Sequence, residues 1–218
     1  MNKNKWVMAV VLVFLLGCKA AEGDGKQALT QSADNKHFTN AQLGLSVDKP
    51  ESWYSQSVEE TLMLQAQGTR LLSGDDKNMK ALLDASVKST LNLFSFFELP
   101  PGTPGKQTPS VISTAEYIMA YPGIKTGCDY LASMQQLIAN SQMQLQFEEG
   151  CQTERLGNST FGFVNASALV TPGLQVHQRY WACRKGDHAI GVVQTFYDEA
   201  GDKATTDIIK TIKVQCDS

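Results

Sequence analysis

Leu174-Gln175-Val176-His177-Gln178-Arg179-Tyr180-Trp181-Ala182-Cys183-Arg184, then Lys185-Gly186-Asp187, then His188-Ala189-Ile190-Gly191-Val192-Val193-Gln194-Thr195-Phe196-Tyr197 is the stretch on which the fold turns. Both arms are rich in β-branched and aromatic residues and flank a glycine-bearing turn, so they read as a β-hairpin. Side chains alternate across a strand, which puts His177, Arg179, Trp181 and Cys183 on one face. A turn through Arg184 to Asp187 sets Cys183 opposite His188, Trp181 opposite Ile190 and Arg179 opposite Val192.

Two further segments, Met143 to Glu154 and Thr160 to Val170, precede this hairpin and extend it to a four-strand antiparallel meander with glycine-containing turns. A terminal helix carrying Ala204, Ile208, Ile209 and Ile212 on one side follows. Upstream, Leu131, Met134, Leu137 and Ile138 recur at helical spacing from Cys128 onward. Ser113-Thr114-Ala115-Glu116 has the form of a capping box and predicts a short helix that Pro122-Gly123 stops. Leu91 to Leu99 reads as a central strand, and Pro100 to Pro109, with four of the chain's seven prolines, reads as a loop. Ser57-Val58-Glu59-Glu60 is a second capping box and opens a helix to about Leu72. Past the Gly74-Asp75-Asp76 break, Met79, Leu82, Leu83 and Val87 mark another. Phe38, Leu43, Leu45 and Val47 alternate as two short strands around a turn, ended by Pro50. Strands and helices segregated in this order define an α+β fold.

Phe38-Thr39-Asn40, Leu43-Gly44-Leu45-Ser46-Val47-Asp48-Lys49-Pro50 and Trp53 are similar to the opening of the PsbP-like fold. Arg179-Tyr180-Trp181, Lys185-Gly186, Ala189-Ile190-Gly191-Val192-Val193 and Ile208-Ile209-Lys210-Thr211-Ile212 resemble its closing hairpin and helix. That group includes extrinsic photosystem subunits, a Ran-binding import factor and DcrB-like envelope lipoproteins. The resemblance covers roughly residues 37 to 213 and implies an antiparallel β-sheet sandwiched between helices. What such relatives share is a fold and a habit of binding macromolecules, which implies no reaction.

The N-terminus also resembles that of a bacterial lipoprotein precursor. Lys3 and Lys5 precede an apolar run from Trp6 to Leu16, and Leu15-Leu16-Gly17-Cys18 has the form of a lipobox. As a helix that run covers about 17 Å, short of a hydrocarbon core of about 30 Å. The resemblance implies removal of residues 1–17 and lipidation of Cys18. Residues 18–36, polar and without an apolar period, then form a flexible tether to a single α+β domain over 37–218. Two or more acyl chains hold such a domain at the bilayer. Lys19, by analogy with enteric bacteria, favours the outer over the inner membrane. A plain secretory signal with an accidental cysteine is the competing reading.

Cleavage leaves 218 − 17 = 201 residues and removes two lysines and no acid, so the formal charge moves from −3 to −5. An acidic chain without a basic cluster excludes nucleic acid as the expected partner. Cys128, Cys151, Cys183 and Cys216 remain, an even set in a compartment where disulfides persist. Three connectivities are open. Cys128 with Cys151 and Cys183 with Cys216 is favoured, because sequential pairs close the shorter loops, each bridge contributing about 3 kcal/mol. Zinc is the competing reading, opposed by the wide spacing.

Gly157-Asn158-Ser159-Thr160-Phe161 lacks the second glycine of a nucleophile elbow. No H-E-x-x-H pair, G-x-G-x-x-G loop or Walker lysine occurs. No catalytic residue, metal or cofactor is therefore assigned. The candidate binding residues are His177, Arg179 and Trp181, since Arg beside Trp grips an anion while stacking. Against this stands burial of Trp181 beneath a helix, with His177 and Arg179 at its margin. Glu148, Glu149 and Glu154 are candidate acid partners. The expected function is that of a lipid-anchored, periplasm-facing envelope protein that binds another envelope protein or component without catalysis. The alternatives are an envelope hydrolase and a small-ligand carrier with a large apolar pocket.

Overall fold

Strands whose side chains are buried on both faces build the middle of the sheet. The computed structural model describes residues 31–33, 36–141 and 143–217. In chain order the elements are β1 (Gln31–Ala33), β2 (His37–Asn40), β3 (Leu45–Asp48), β4 (Tyr54–Ser55), α1 (Val58–Ser73), α2 (Lys77–Ser89), β5 (Thr90–Phe97), β6 (Ser110–Tyr117), α3 (Gly127–Ala139), β7 (Gln146–Phe147), β8 (Gln152–Leu156), β9 (Ser159–Thr171), β10 (Leu174–Lys185), β11 (His188–Phe196) and α4 (Glu199–Ile209). An eight-stranded antiparallel sheet runs β4-β5-β6-β11-β10-β9-β7, with β8 also on β9, and β1-β2-β3 form a second, small sheet. This is an α+β fold, an antiparallel sheet between helices.

Each face carries its own apolar cluster. Trp181, Cys183, Phe161, Ile190 and Val192 pack with Phe38, Leu45 and Val47 of the small sheet and with Ile208, Ile209 and Ile212. On the opposite face Val164, Tyr180, Ala182 and Val193 pack with Leu72, Leu83, Tyr130, Leu131 and Met134. So α4 and the small sheet cover one side, and α1, α2 and α3 the other. Burying one large apolar side chain contributes about 1.5–3 kcal/mol, and the two faces together drive assembly.

Local signals at the helix ends hold where the chain is free to use them. Ser57 Oγ accepts from the Glu60 amide at 3.2 Å, and Glu60 Oε2 accepts from the Ser57 amide at 2.7 Å. Tyr54 donates to the other Glu60 oxygen. Thr126 and Asp129 form a further box at the start of α3.

Ser113-Thr114-Ala115-Glu116, by contrast, lies within β6, so the predicted helix there is a strand. Val111, Ile112 and Thr114 favour extended backbone, and β6 is paired on both sides, with β5 and β11. Ser113 Oγ donates to the Gly191 carbonyl at 2.9 Å, and Glu116, fully buried, accepts from Tyr130 Oη at 2.8 Å and Ser86 Oγ at 3.3 Å. Polar residues that mimic a cap thus tie α2 and α3 to the sheet. Burial, then the Glu116 carboxyl, push the Tyr130 phenol well above its usual range.

Other boundaries shift. Leu91 to Leu99 is a strand, but it lies next to the two-residue β4 near the sheet edge, while β6 and β11 take the centre. Met143 to Glu154 divides into β7 and β8 because Gly150 turns the chain with positive φ. Part of the expected tether is structured, since β1 pairs with β2. Residues 1–17 and Cys18 lie outside the described residues. The Pro100–Pro109 segment is a closed connector, held by Glu98 N donating to Pro109 O at 3.0 Å and by Thr108 Oγ1 bonding Leu99.

Both disulfides follow the favoured pairing. Cys128 joins Cys151 with Cα atoms 5.7 Å apart, and Cys183 joins Cys216 at 6.0 Å. The second fastens a C-terminal strap in which Lys213 pairs with Ser46 of β3 and Ser159 Oγ bridges Val214 O and Cys216 N.

Candidate functional site

The β10–β11 turn is tighter than its sequence suggests. Lys185 faces His188, so Cys183 lies opposite Ile190, Trp181 opposite Val192 and Arg179 opposite Gln194. The expected register is therefore displaced by two residues. Because the side-chain period is also two, every residue keeps its face.

Cross-strand rows on the face shared by Arg179 and Trp181 change character along the strands. Val192, Trp181 and Phe163 form one row, with Trp181 2% exposed beneath the apolar cluster. The next is Gln194, Arg179 and Asn165, with Glu148 alongside, and beyond it come Phe196, His177, Ser167 and Gln146. The last two rows border a groove of about 340 Å³, lined also by Gln175. The sheet thus passes from a covered apolar end to an open polar one.

Arg179 is built into this boundary. Its Nε donates to Asn165 Oδ1 at 2.8 Å, and its Nη1 lies 3.4 Å from Gln194 Oε1 and 3.6 Å from Asp202 Oδ1 of α4. Asn165 Nδ2 donates to Glu148 Oε2 at 2.9 Å. The guanidinium carbon stands 5.9 Å from each of the Phe163, Trp181 and Phe196 ring centroids, at the outer reach of a cation–π contact. Gln194, fully buried, supports the site from below. Its Oε1 also accepts from Trp181 Nε1 at 3.2 Å, and its Nε2 hydrogens are shared among Asp202 Oδ1, Thr205 Oγ1 and Thr206 Oγ1 at 2.9–3.0 Å. His177 stacks on Phe196, centroids 5.5 Å apart and planes at 14°.

His177 and Arg179 are therefore brought to one groove, whereas Trp181 lies under the cover and contributes a hydrogen bond and a floor. Of the candidate acids, Glu148 joins the site through Asn165, while Glu149 and Glu154 are exposed away from it. Sequence reasoning missed Gln194, Asn165 and Phe196. Alternation on the flanking strands would have found them once the register was right. Asp202 has no such signal, because it arrives on a helix from outside the meander.

His188 Nδ1 pairs with Asp187 Oδ1 at 2.6 Å at the far end of the strands and meets Tyr117 edge-on. No hydroxyl completes a nucleophilic arrangement with it among the described residues. Among those residues no cluster of three His, Cys, Asp or Glu side chains could hold a metal.

No family model matches this chain, and no curated protein is similar to it in sequence. Among solved structures it is similar to a cyanobacterial PsbP (CyanoP) from Synechocystis sp. PCC 6803, at 12% identity over 90% of this chain and 98% of that one, with a TM-score of 0.49. It is also similar to a protein from Bacteroides thetaiotaomicron VPI-5482, at 14% identity over 83% of this chain, with a TM-score of 0.45. The chain spans about half the length of that protein, covering 48% of it.

Proposed function

We propose that this chain is a lipid-anchored envelope protein, fastened through Cys18 and facing the periplasm from the outer membrane, that binds an envelope component without catalysis. On this reading the domain is PsbP-like and the binding surface is the groove around His177 and Arg179. The observation that carries it is the pair of polar rows left open at one end of an otherwise covered sheet face. A side chain as costly to order as arginine is there fixed by Asn165, Gln194 and Asp202. Two disulfides support an oxidising compartment. No helix among the described residues is long and apolar enough to cross a membrane, and the proposed anchor supplies the attachment.

The test is site-specific photocrosslinking of the full chain in native membranes. A crosslinker at His177 is expected to capture one defined envelope component. The same group at Lys203, on the outer side of α4, is expected to capture none. Equal capture from both positions, or none from His177, would contradict the assignment.

A further inference from the structure

We infer that the groove takes a neutral, hydroxyl-rich ligand, a short saccharide, and this inference rests on the binding reading above. The argument is one of chemical complementarity. Among the side chains that line the groove the formal charges of Arg179 and Glu148 cancel, joined through Asn165, and Asp202 of α4 holds the guanidinium from outside the lining. An anion would meet Glu148 and compete with the groups that hold Arg179, and a cation would meet the guanidinium. Neither finds an excess of opposite charge among the lining side chains.

An apolar ligand fits no better. Gln146, Glu148, Asn165, Ser167, Gln175 and Arg179 line the groove, and stripping water from such groups without replacing their hydrogen bonds costs about 1–3 kcal/mol each. An extended peptide needs a strand edge to pair with, and β7, the edge strand beside the groove, offers only two residues. The groove instead runs across β11, β10, β9 and β7, offering side chains rather than backbone.

What remains is an uncharged molecule with closely spaced donors and acceptors and some apolar C–H surface. Planar amides, a carboxylate and a guanidinium each present two adjacent polar atoms, matching neighbouring hydroxyls in pairs. Gln146 and Gln175 are exposed, and among the described residues their side chains and the ring nitrogens of His177 form no hydrogen bond. Their donors and acceptors are available to a ligand. The stacked His177 and Phe196 rings supply the flat apolar element that a sugar's C–H face packs on. At about 340 Å³ the groove is at the small end of the range of about 300–1,000 Å³ for ligand sites, which favours a short segment of chain.

The experiment is an amide and side-chain nuclear magnetic resonance titration of the isotopically labelled full chain in a zwitterionic detergent that carries no sugar. The probes are chitotetraose, maltotetraose, inorganic phosphate and tetra-alanine. Saturable shifts at Asn165, Gln175 and His177 with at least one oligosaccharide are expected, with Gln175→Ala and Gln146→Ala each weakening binding about three- to tenfold. Lys203→Ala is expected to leave it unchanged. Saturation by phosphate or tetra-alanine alone would overturn the ligand class while leaving the groove as the binding site. Silence with every probe would overturn the saccharide, and silence joined to failed crosslinking from His177 would overturn the binding reading too.

Discussion

Arg179 Nε donates to Asn165 Oδ1 at 2.8 Å across the β9–β10 pair, which makes a neutral amide the link between a guanidinium and the Glu148 carboxylate. Asn165→Leu removes both bonds at once. The variant is expected to lose about 1–2 kcal/mol in urea unfolding, since Arg179 stays partly open to water and can be rehydrated. Glu148→Gln, at an exposed position, is expected to stay within about 0.5 kcal/mol of the parent.

Gln194 is held more tightly. Replacing it with Leu leaves Trp181 Nε1 without an acceptor, takes one of its partners from Arg179 and leaves the Thr205 and Asp202 side of α4 without its donor. A loss of about 2–3 kcal/mol is expected. The indole fluorescence of Trp181 in the folded state should shift as well, which a general loosening elsewhere would not produce.

Gly127 opens α3 against β10, and a Cβ there would stand 1.9 Å from the Ala182 carbonyl oxygen. Backbone cannot yield as a side-chain tip can, so Gly127→Ala is expected to cost about 3 kcal/mol or more. Gly123→Ala, with no atom within 4 Å of its new Cβ, serves as the control and is expected to be near neutral. Equal melting temperatures for the two variants would contradict the packing described.

Asp129 titrates below its usual range because the Lys125 amide, then the Thr126 hydroxyl and amide, donate to its carboxylate. A carboxylate with a depressed folded pKa stabilises the fold above its unfolded value of about 3.9 and loses that contribution as pH falls through the folded value. The stability difference between the parent and Asp129→Asn should therefore be constant above about pH 5 and shrink under acid. Thr126→Ala, which removes the other half of the box, is expected to cost about 1 kcal/mol at neutral pH.

Much of the sheet was legible because alternation is a local signal. β9, β10 and β11 begin and end within a residue or two of their expected bounds, and the faces of His177, Arg179 and Trp181 follow from period two alone. The Ser57 box is a cap because the chain is free there, while the similar pattern at Ser113 is not, because two neighbouring strands claim its backbone. Sequence period cannot weigh such non-local pairing. Nor can it find Asp202 or the C-terminal strap, whose contacts join distant segments. The groove was only half legible: its rows depend on a hairpin register that differs by two residues from the one the turn suggests.

The most direct test is non-reducing peptide mass spectrometry of the full-length protein recovered from cells. The proposed anchor, compartment and cross-links together predict a chain that starts at a diacylglyceryl-modified Cys18 and carries Cys128–Cys151 and Cys183–Cys216 in the membrane fraction. A chain that retains residues 1–17, with an unmodified Cys18 and free thiols at the other four positions, would contradict the account.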